Sequence, residues 1–438
     1  MNKKENKISK EIKINKKSAR RNYSNQTGIT LIALVVTIVV LLILAGVSLN
    51  AIFSENGIIK RAQDAQNKMN NAQESDLNAL NDLDKWINNQ VNGTTGGNTT
   101  GGNDNPSTTP KISTLVGKVV DKNTKAEDAY GNKITIPKGF KVLAKGTSTE
   151  SASYTYSGNN IPAVQDGIVI ENGTDGNQFV WVPVGTIKNK DGSTNTITLG
   201  RYSNFAKQNG TYVPAQNANN CTQEVTINTY FKELSTFREG NTATDSTAQN
   251  ATARNLAEFI STSLSNGGYY IARFEASGTA SKITSKYNQT VLGNITQPNA
   301  AKVAREMYGE VKENNELVYA SDLVNSYACD TAIVFIQTYS GKTDYASHNG
   351  SITTKAFTAT GKNNDKYCNI FDMSGNASEW TTEYSTNSDG SIFNPCVLRG
   401  GYYDTDGGRA HDCTSDRGID YTIISYSNLG LRPLLYVK

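Results

Sequence analysis

The period of the apolar positions changes along this chain, and each change marks a different element. From Ile29 to Phe53 (ITLIALVVTIVVLLILAGVSLNAIF) twenty-five residues pass without a charge. As a helix rising about 1.5 Å per residue they would reach roughly 37 Å, enough to cross a ~30 Å hydrocarbon layer. Beyond Gly57 the apolar residues fall mostly at steps of three and four (Ile58, Ile59, Ala62, Ala65, Met69, Ala72, then Leu77, Leu80, Leu83, Ile87). That spacing predicts a polar helix with a thin apolar stripe, continuing the first. Residues 88–110 (NNQVNGTTGGNTTGGNDNPSTTP) offer no apolar anchor and read as a flexible linker, with ends on the order of 25 Å apart.

From residue 111 the texture shifts to short alternating runs broken at Gly, Asn and Asp. Residues 133–142 (KITIPKGFKV) and 167–184 (GIVIENGTDGNQFVWVPV) predict strands. Residues 251–264 predict an amphipathic helix with Leu256, Phe259, Ile260 and Leu264 on one face, leading into a strand at 269–276 (YYIARFEA). Two more helices are expected at 299–308 and 323–336, the latter turning Leu323, Tyr327, Thr331, Val334 and Phe335 inward. The expected fold class is α+β. Its parts are a basic leader (1–28), a long transmembrane and amphipathic helix (29–87), the linker (88–110), a β-rich lead-in (111–164) and a domain of loops and short strands (165–438).

Charge sharpens the reading of the N-terminus. Residues 1–28 hold nine Lys/Arg and two Glu, so the chain's net +3 resides in the leader and residues 29–438 carry a net −4. A cluster of cations before an apolar span predicts a cytoplasmic N-terminus and an extracellular head. Little basic surface is left for a nucleic-acid footprint, and no nucleic-acid partner is expected. Gly28 followed by Ile29-Thr30-Leu31-Ile32 resembles a type IV prepilin. The resemblance implies cleavage after Gly28 by a prepilin peptidase, methylation of Ile29, and other pilins as partners. Ala33 stands where pilins usually carry a glutamate, which makes the segment a better membrane resident and removes the usual assembly contact.

Three phrases near the C-terminus carry a second resemblance: residues 369–381 (NIFDMSGNASEWT), 397–402 (VLRGGY) and 427–434 (SNLGLRPL). In this order and spacing they resemble the closing core of the formylglycine-generating-enzyme family, a subclass of the C-type-lectin fold. The likeness covers roughly residues 165–438. The family's catalytic cysteine pair would fall at positions 405 and 410, counted from Gly400-Gly401, where this chain has Thr405 and Ala410. A thiolate is both the nucleophile and the soft copper ligand, and neither a hydroxyl nor a methyl replaces it. Cys413 is the one cysteine between Gly401 and the C-terminus, and the remaining four (Cys221, Cys329, Cys368, Cys396) make an odd total without a CxxC spacing. A non-catalytic relative is therefore expected. His348 and His411, the two histidines, do not form a recognisable triad with a serine or cysteine.

The resemblance implies a structural Ca²⁺ site at the turn Ser374, Gly375, Ala377 and Glu379, with backbone carbonyls and one carboxylate as hard oxygen ligands. The alternative is a hydrogen bond or salt bridge at Glu379. Arg399 and Arg432 are expected to pin the C-terminal strands through carboxylates.

Residues 402–428 (YYDTDGGRAHDCTSDRGIDYTIISYSN) form the expected ligand face. Rigid aromatics among small polar residues suit a recognition surface. The expected contacts are Tyr402, Tyr403, Asp404, Asp406, Arg409 and His411, followed by Asp412, Arg417, Asp420, Tyr421 and Tyr426. The stretch contains no Lys, Glu, Gln, Met or Trp, the five types whose codons never end in a pyrimidine. A loop of this composition between fixed phrases resembles a variable protein of a diversity-generating retroelement. Together these features predict a bacterial cell-surface, adhesin-like protein that binds an extracellular protein or glycan. Its expected place is the membrane and outer surface, in association with a pilus where assembly occurs. A structural minor pilin and a formylglycine-generating-type oxidase are the alternatives.

Overall fold

A computed structural model describes residues 109–143, 162–215, 230–233, 252–314, 316–350, 356–385, 395–401 and 413–438. All belong to one compact unit that spans residues 105–438. The first strands are β1 (Thr124–Glu127), β2 (Lys133–Ile136), β3 (Phe140–Val142), β4 (Val169–Asn172), β5 (Gln178–Pro183), β6 (Gly185–Lys188), β7 (Thr194–Ile197) and β8 (Phe231–Lys232). Next come α1 (Leu256–Asn266), β9 (Gly268–Ala272), β10 (Ser277–Thr279), β11 (Lys282–Thr284), α2 (Gln297–Glu306), β12 (Glu310–Glu313), β13 (Glu316–Leu323) and α3 (Ser326–Tyr339). The last are β14 (Lys366–Tyr367), β15 (Ile370–Phe371), β16 (Ser378–Ser385), β17 (Cys396–Arg399), β18 (Gly418–Asp420), β19 (Leu429–Leu431) and β20 (Pro433–Val437).

A seven-stranded sheet runs in the order β12-β13-β20-β9-β5-β4-β3. Its strands alternate, and both faces are buried. Val180, Val182, Tyr269, Ile271, Leu434 and Tyr436 pack with α1 and α3 on one side. Phe179, Trp181, Tyr270, Ala272, Leu435 and Val437 pack on the other, against Ala126, Ile134 and Ile136 of the β1–β2 hairpin. A side-chain period of two lets one strand feed both cores. β3 pairs with β4 at the sheet's edge, which builds the segment after residue 111 into the same framework.

The smaller sheet runs β18-β17-β16-β19, with β8 pairing onto β16. β16 and β19 are parallel and the other pairs antiparallel. A third core lies between this sheet and α2 and includes Trp380, Leu429, Leu431, Ala301 and Val303.

The helices start and stop where their caps dictate. Asn255 accepts from Glu258 N at 3.1 Å, and Gly267 closes α1 in the left-handed conformation at φ 76°. Asn325 accepts from Ala328 N at 2.9 Å and fixes the start of α3. The start expected at residue 323 is instead the end of β13. Leu264 was expected to face the core with Phe259 but is 58% exposed. At about 100° per residue it lies 140° round from Phe259, beyond Ile260, which is itself only half-buried.

The expected fold class is corrected by this architecture. The described residues are mainly β, with twenty strands against three α-helices. Among them no helix is long and apolar enough to cross a membrane. The α+β expectation overweighted three helical periodicities, whereas most buried apolar residues belong to the two-faced sheet and the loops around it. The segment from Ile29 to Phe53, the rest of the expected helix to residue 87, and the processing residues Gly28 and Ile29 lie outside the described residues.

Candidate functional site

The described part of the expected ligand face is residues 413–428, and its upstream border is Arg399-Gly400-Gly401. Tyr402, Tyr403, Asp404, Asp406, Arg409, His411 and Asp412 lie outside the described residues. The two borders are held by one set of buried charges. On the upstream side Arg399, at the end of β17, pairs with Asp330 of α3 through its Nη2. On the downstream side Arg417 donates from Nη2 to the other oxygen of Asp330 at 2.6 Å, and from Nε to both oxygens of Glu383 at 3.0 and 3.1 Å. Arg201 also pairs with Glu383, so that carboxylate on β16 ties three segments together. Burial alone would raise the Glu383 carboxyl, but the guanidiniums of Arg417, Arg201 and Arg399 outweigh it and bring it to about 2.

Arg417 is therefore an interior group (4% exposed) that supports the face from beneath. The rest of the downstream border is docked through backbone. The His348 carbonyl accepts from Thr414 N at 3.0 Å, Thr414 Oγ1 at 3.1 Å and Ser374 Oγ at 2.8 Å, while Ser415 N donates to Ala346 O. Upstream, Gly375 N donates to Gly400 O at 2.6 Å.

Asp420 and Tyr421 are half-buried, and Tyr426 is 57% exposed. Six large apolar side chains stand exposed among the described residues, and three of them, Ile419, Ile423 and Tyr426, fall within one eight-residue stretch here. Ile419 is carried on β18, the edge of the smaller sheet, opposite Val397. Ile424 N donates to Tyr421 O at 3.2 Å, closing a turn that places Ile423 outward while Ile424 packs inward on the third core. The Tyr426 carbonyl accepts from Asn294 N and Leu429 N, each at 3.1 Å.

The turn at 374–379 is stitched by protein groups. Glu379 is buried, and both its oxygens accept from Arg432 Nε, at 2.9 and 3.0 Å. The same guanidinium donates to the carbonyls of Ala272, Phe371 and Asp372. Ala377 N donates to Glu275 Oε1 at 2.9 Å, and Asn376 Nδ2 donates to the other oxygen of that carboxylate. Burial, then Asp372 and Glu379, hold the Glu275 carboxyl well above its ordinary range. Ser374 N points to Asp365.

These residues do not fit Ca²⁺. The expected carboxylate ligand has a cation already against both oxygens, and Arg432 also takes the Phe371 and Asp372 carbonyls beside the turn. Among the described residues no three His, Cys, Asp or Glu side chains converge as a metal site. The salt-bridge alternative for Glu379 is what the structure shows. Arg399 and Arg432 pin the C-terminal strands through carboxylates, as the sequence suggested.

Of the four described cysteines, Cys329, Cys396 and Cys413 are buried and Cys368 is half-buried. Burial pushes the Cys329 thiol up to about 11, and it raises Cys368 and Cys396 as well. Sequence reasoning missed Asp330, Glu383 and Arg201. Asp330 had a readable signal, being a lone carboxylate in the otherwise neutral run SYACDTAIVFIQ of α3.

No family model and no curated protein matches the chain. Among solved structures it is similar to one titled "Crystal Structure of CarF", at 15% identity and a TM-score of 0.28, covering 39% of this chain and 87% of that one. It is also similar to Treponema denticola variable protein 1, at 13% identity and a TM-score of 0.26 over 48% and 94% of the two chains. The M1 variant of Major Tropism Determinant matches at 13% identity and a TM-score of 0.26 over 75% and 98%.

Proposed function

We propose that this protein is a cell-surface ligand-binding module whose recognition face is formed by residues 402–428, and that it binds an extracellular protein or glycan without chemistry. One observation carries the reading. Both borders of the 402–412 segment are clamped onto one carboxylate, Asp330 of α3, and Arg417 is held as well by Glu383 of β16, both acids lying outside the face. A segment held by groups outside itself can change its side chains without loosening the framework, which is the property a recognition loop needs. The composition of residues 402–428, restricted to types with pyrimidine-ending codons, supports diversification of that face. Thr405 and Ala410 at the family's cysteine positions, together with buried thiols shifted away from the thiolate, support a non-enzymatic reading.

The test is deep sequencing of the codons for residues 400–432 in a dividing population of the source organism. Substitutions concentrated at adenine positions within 402–428 are expected, with the flanks and the buried Arg417 constant. A segment as invariant as its flanks would sink diversification and leave a fixed binding loop.

A further inference from the structure

We propose that a basic strip built on Lys282, Lys286 and Lys362 binds an acidic polysaccharide. The strip adjoins the recognition face, since Asn294 N donates to Tyr426 O, but contains none of residues 402–428. It therefore goes beyond the role proposed for that segment and stands without it. Residues 276–305 hold no Asp or Glu, and neither do residues 345–364, in a body (29–438) whose net charge is −4. The fold lays these two acid-free stretches side by side. Thr360 N donates to Gln289 O at 2.9 Å, Asn288 N to Thr360 O at 2.8 Å, and Thr360 Oγ1 to Lys286 O. Burial alternates along β11 and the two residues after it. Ile283 and Ser285 are buried, while Lys282, Thr284 and Lys286 are exposed or half-buried, which puts two ammonium groups on one face. Lys362 joins them from the second stretch, with Nζ 4.8 Å from the centre of the Tyr287 ring.

These charges are available to a partner. Lys111, Lys138, Lys141, Lys312 and Lys342 each pair with a carboxylate, whereas Lys282, Lys286 and Lys362 form no ion pair with a described residue. Asp175, in the turn beside Lys286, already accepts from Asn177 N and Tyr308 Oη. Asp365 and Asp372 are buried. What surrounds the charges selects the partner. Asn288, Gln289, Thr290 and Asn364 are exposed, and their amides and hydroxyl both donate and accept, as sugar hydroxyls do. No large apolar side chain is exposed among the described residues of either stretch. Protein interfaces centre on such anchors and are depleted in Lys, so an acidic protein surface fits poorly. Nucleic-acid bases need an aromatic platform, and the Tyr287 ring is half-buried with Lys362 over it. An ammonium is a compact point charge on a flexible stem, suited to carboxylates spaced along a polymer.

Lysine footprinting reads the strip residue by residue and separates it from the basic leader. The full-length chain in nonionic detergent is acetylated with and without polygalacturonate, a polysaccharide with a carboxylate on each sugar. Mass spectrometry follows the rate at each lysine. Lys282, Lys286 and Lys362 should react at least about threefold more slowly with saturating polymer, a protection that fades as salt approaches molar. Lys138, held by Glu313, should keep its rate. In the double variant Lys282→Gln, Lys362→Gln the protection of Lys286 should be lost. Protection that is absent, or confined to lysines of residues 1–28, would overturn the proposal, as would a Lys286 still protected in the double variant. Equal protection by polyglutamate or by single-stranded DNA would overturn the partner class.

Discussion

Arg399 and Arg417 divide one carboxylate between them: Asp330 gives Oδ1 to the first and Oδ2 to the second. Eighteen positions apart in sequence, the two arginines bracket residues 402–412, and the shared acid holds the two borders together. Asp330 is fully buried in α3, so losing either guanidinium leaves one of its oxygens without a counter-charge.

Asp330→Asn should therefore be among the most destabilising single changes in the head. Breaking a buried pair costs about 3–5 kcal/mol, because the surviving partners keep unpaired charges. Urea denaturation is the measurement, and a loss under about 1 kcal/mol would show that the clamp contributes little.

Glu233 gives the protein a pH signature. It accepts from Ser326 N at 2.7 Å and from Thr382 Oγ1, close to Glu383. Burial, then Glu383, push its carboxyl up to about 7. A raised folded value stabilises most below the ordinary range near 4.5, and the contribution disappears as pH climbs through 7. Glu233→Gln should flatten the stability profile between pH 5 and 8 and gain about 1–2 kcal/mol relative to the parent at pH 8. Parallel profiles for the two proteins would contradict this.

Calcium should leave the melting temperature unmoved. With Arg432 against both oxygens of Glu379, adding millimolar Ca²⁺ or a chelator is expected to shift the transition by less than about 1 °C, since only a ligand that binds the native state stabilises it. Arg432→Lys should destabilise the fold by about 3 kcal/mol, because an ammonium cannot span the carboxylate and three carbonyls together. A large calcium-dependent rise would place a cation where the guanidinium is described.

Replacing Tyr402, Tyr403 and Tyr421 together with Ala should abolish ligand capture and change the melt of the head by little. Unchanged capture would remove these tyrosines from the face.

Gly293 passes within reach of the face's support. A Cβ there would meet Ser427 O at 2.5 Å and the Phe357 ring at 2.7 Å. Gly293→Ala is expected to cost about 1–3 kcal/mol, readable as a lowered midpoint in the same denaturation experiment.

Much of the framework was legible in the chain because it follows simple periods. The alternation at 167–184 became β4 and β5, whereas the helix starts expected at 251 and 323 fell three to five residues early because the caps at Asn255 and Asn325 were not read. The hidden parts have physical reasons. α3 is buried almost all round, so its apolar pattern has no polar face from which to judge its ends. Arg417 sits among exposed-looking residues, yet its partners are 34 and 87 positions away, and no local pattern announces an ion pair of that separation. The calcium expectation came with the family resemblance of the turn, whereas the group against Glu379, Arg432, comes from the phrase some fifty positions downstream.

The parallel pairing of β16 with β19 brings Glu379 opposite Gly430, next to the strand end that carries Arg432. The strand bearing Glu383 is thus anchored at its start by groups that owe nothing to the segment between Gly401 and Cys413. That segment can then differ in length as well as in composition. Doubling the length of chain between two fixed points costs only about 0.6 kcal/mol more, well below the worth of the buried pairs made by Arg399 and Arg417. Relatives of this protein with longer or shorter insertions between Arg399 and Arg417 should keep the same head.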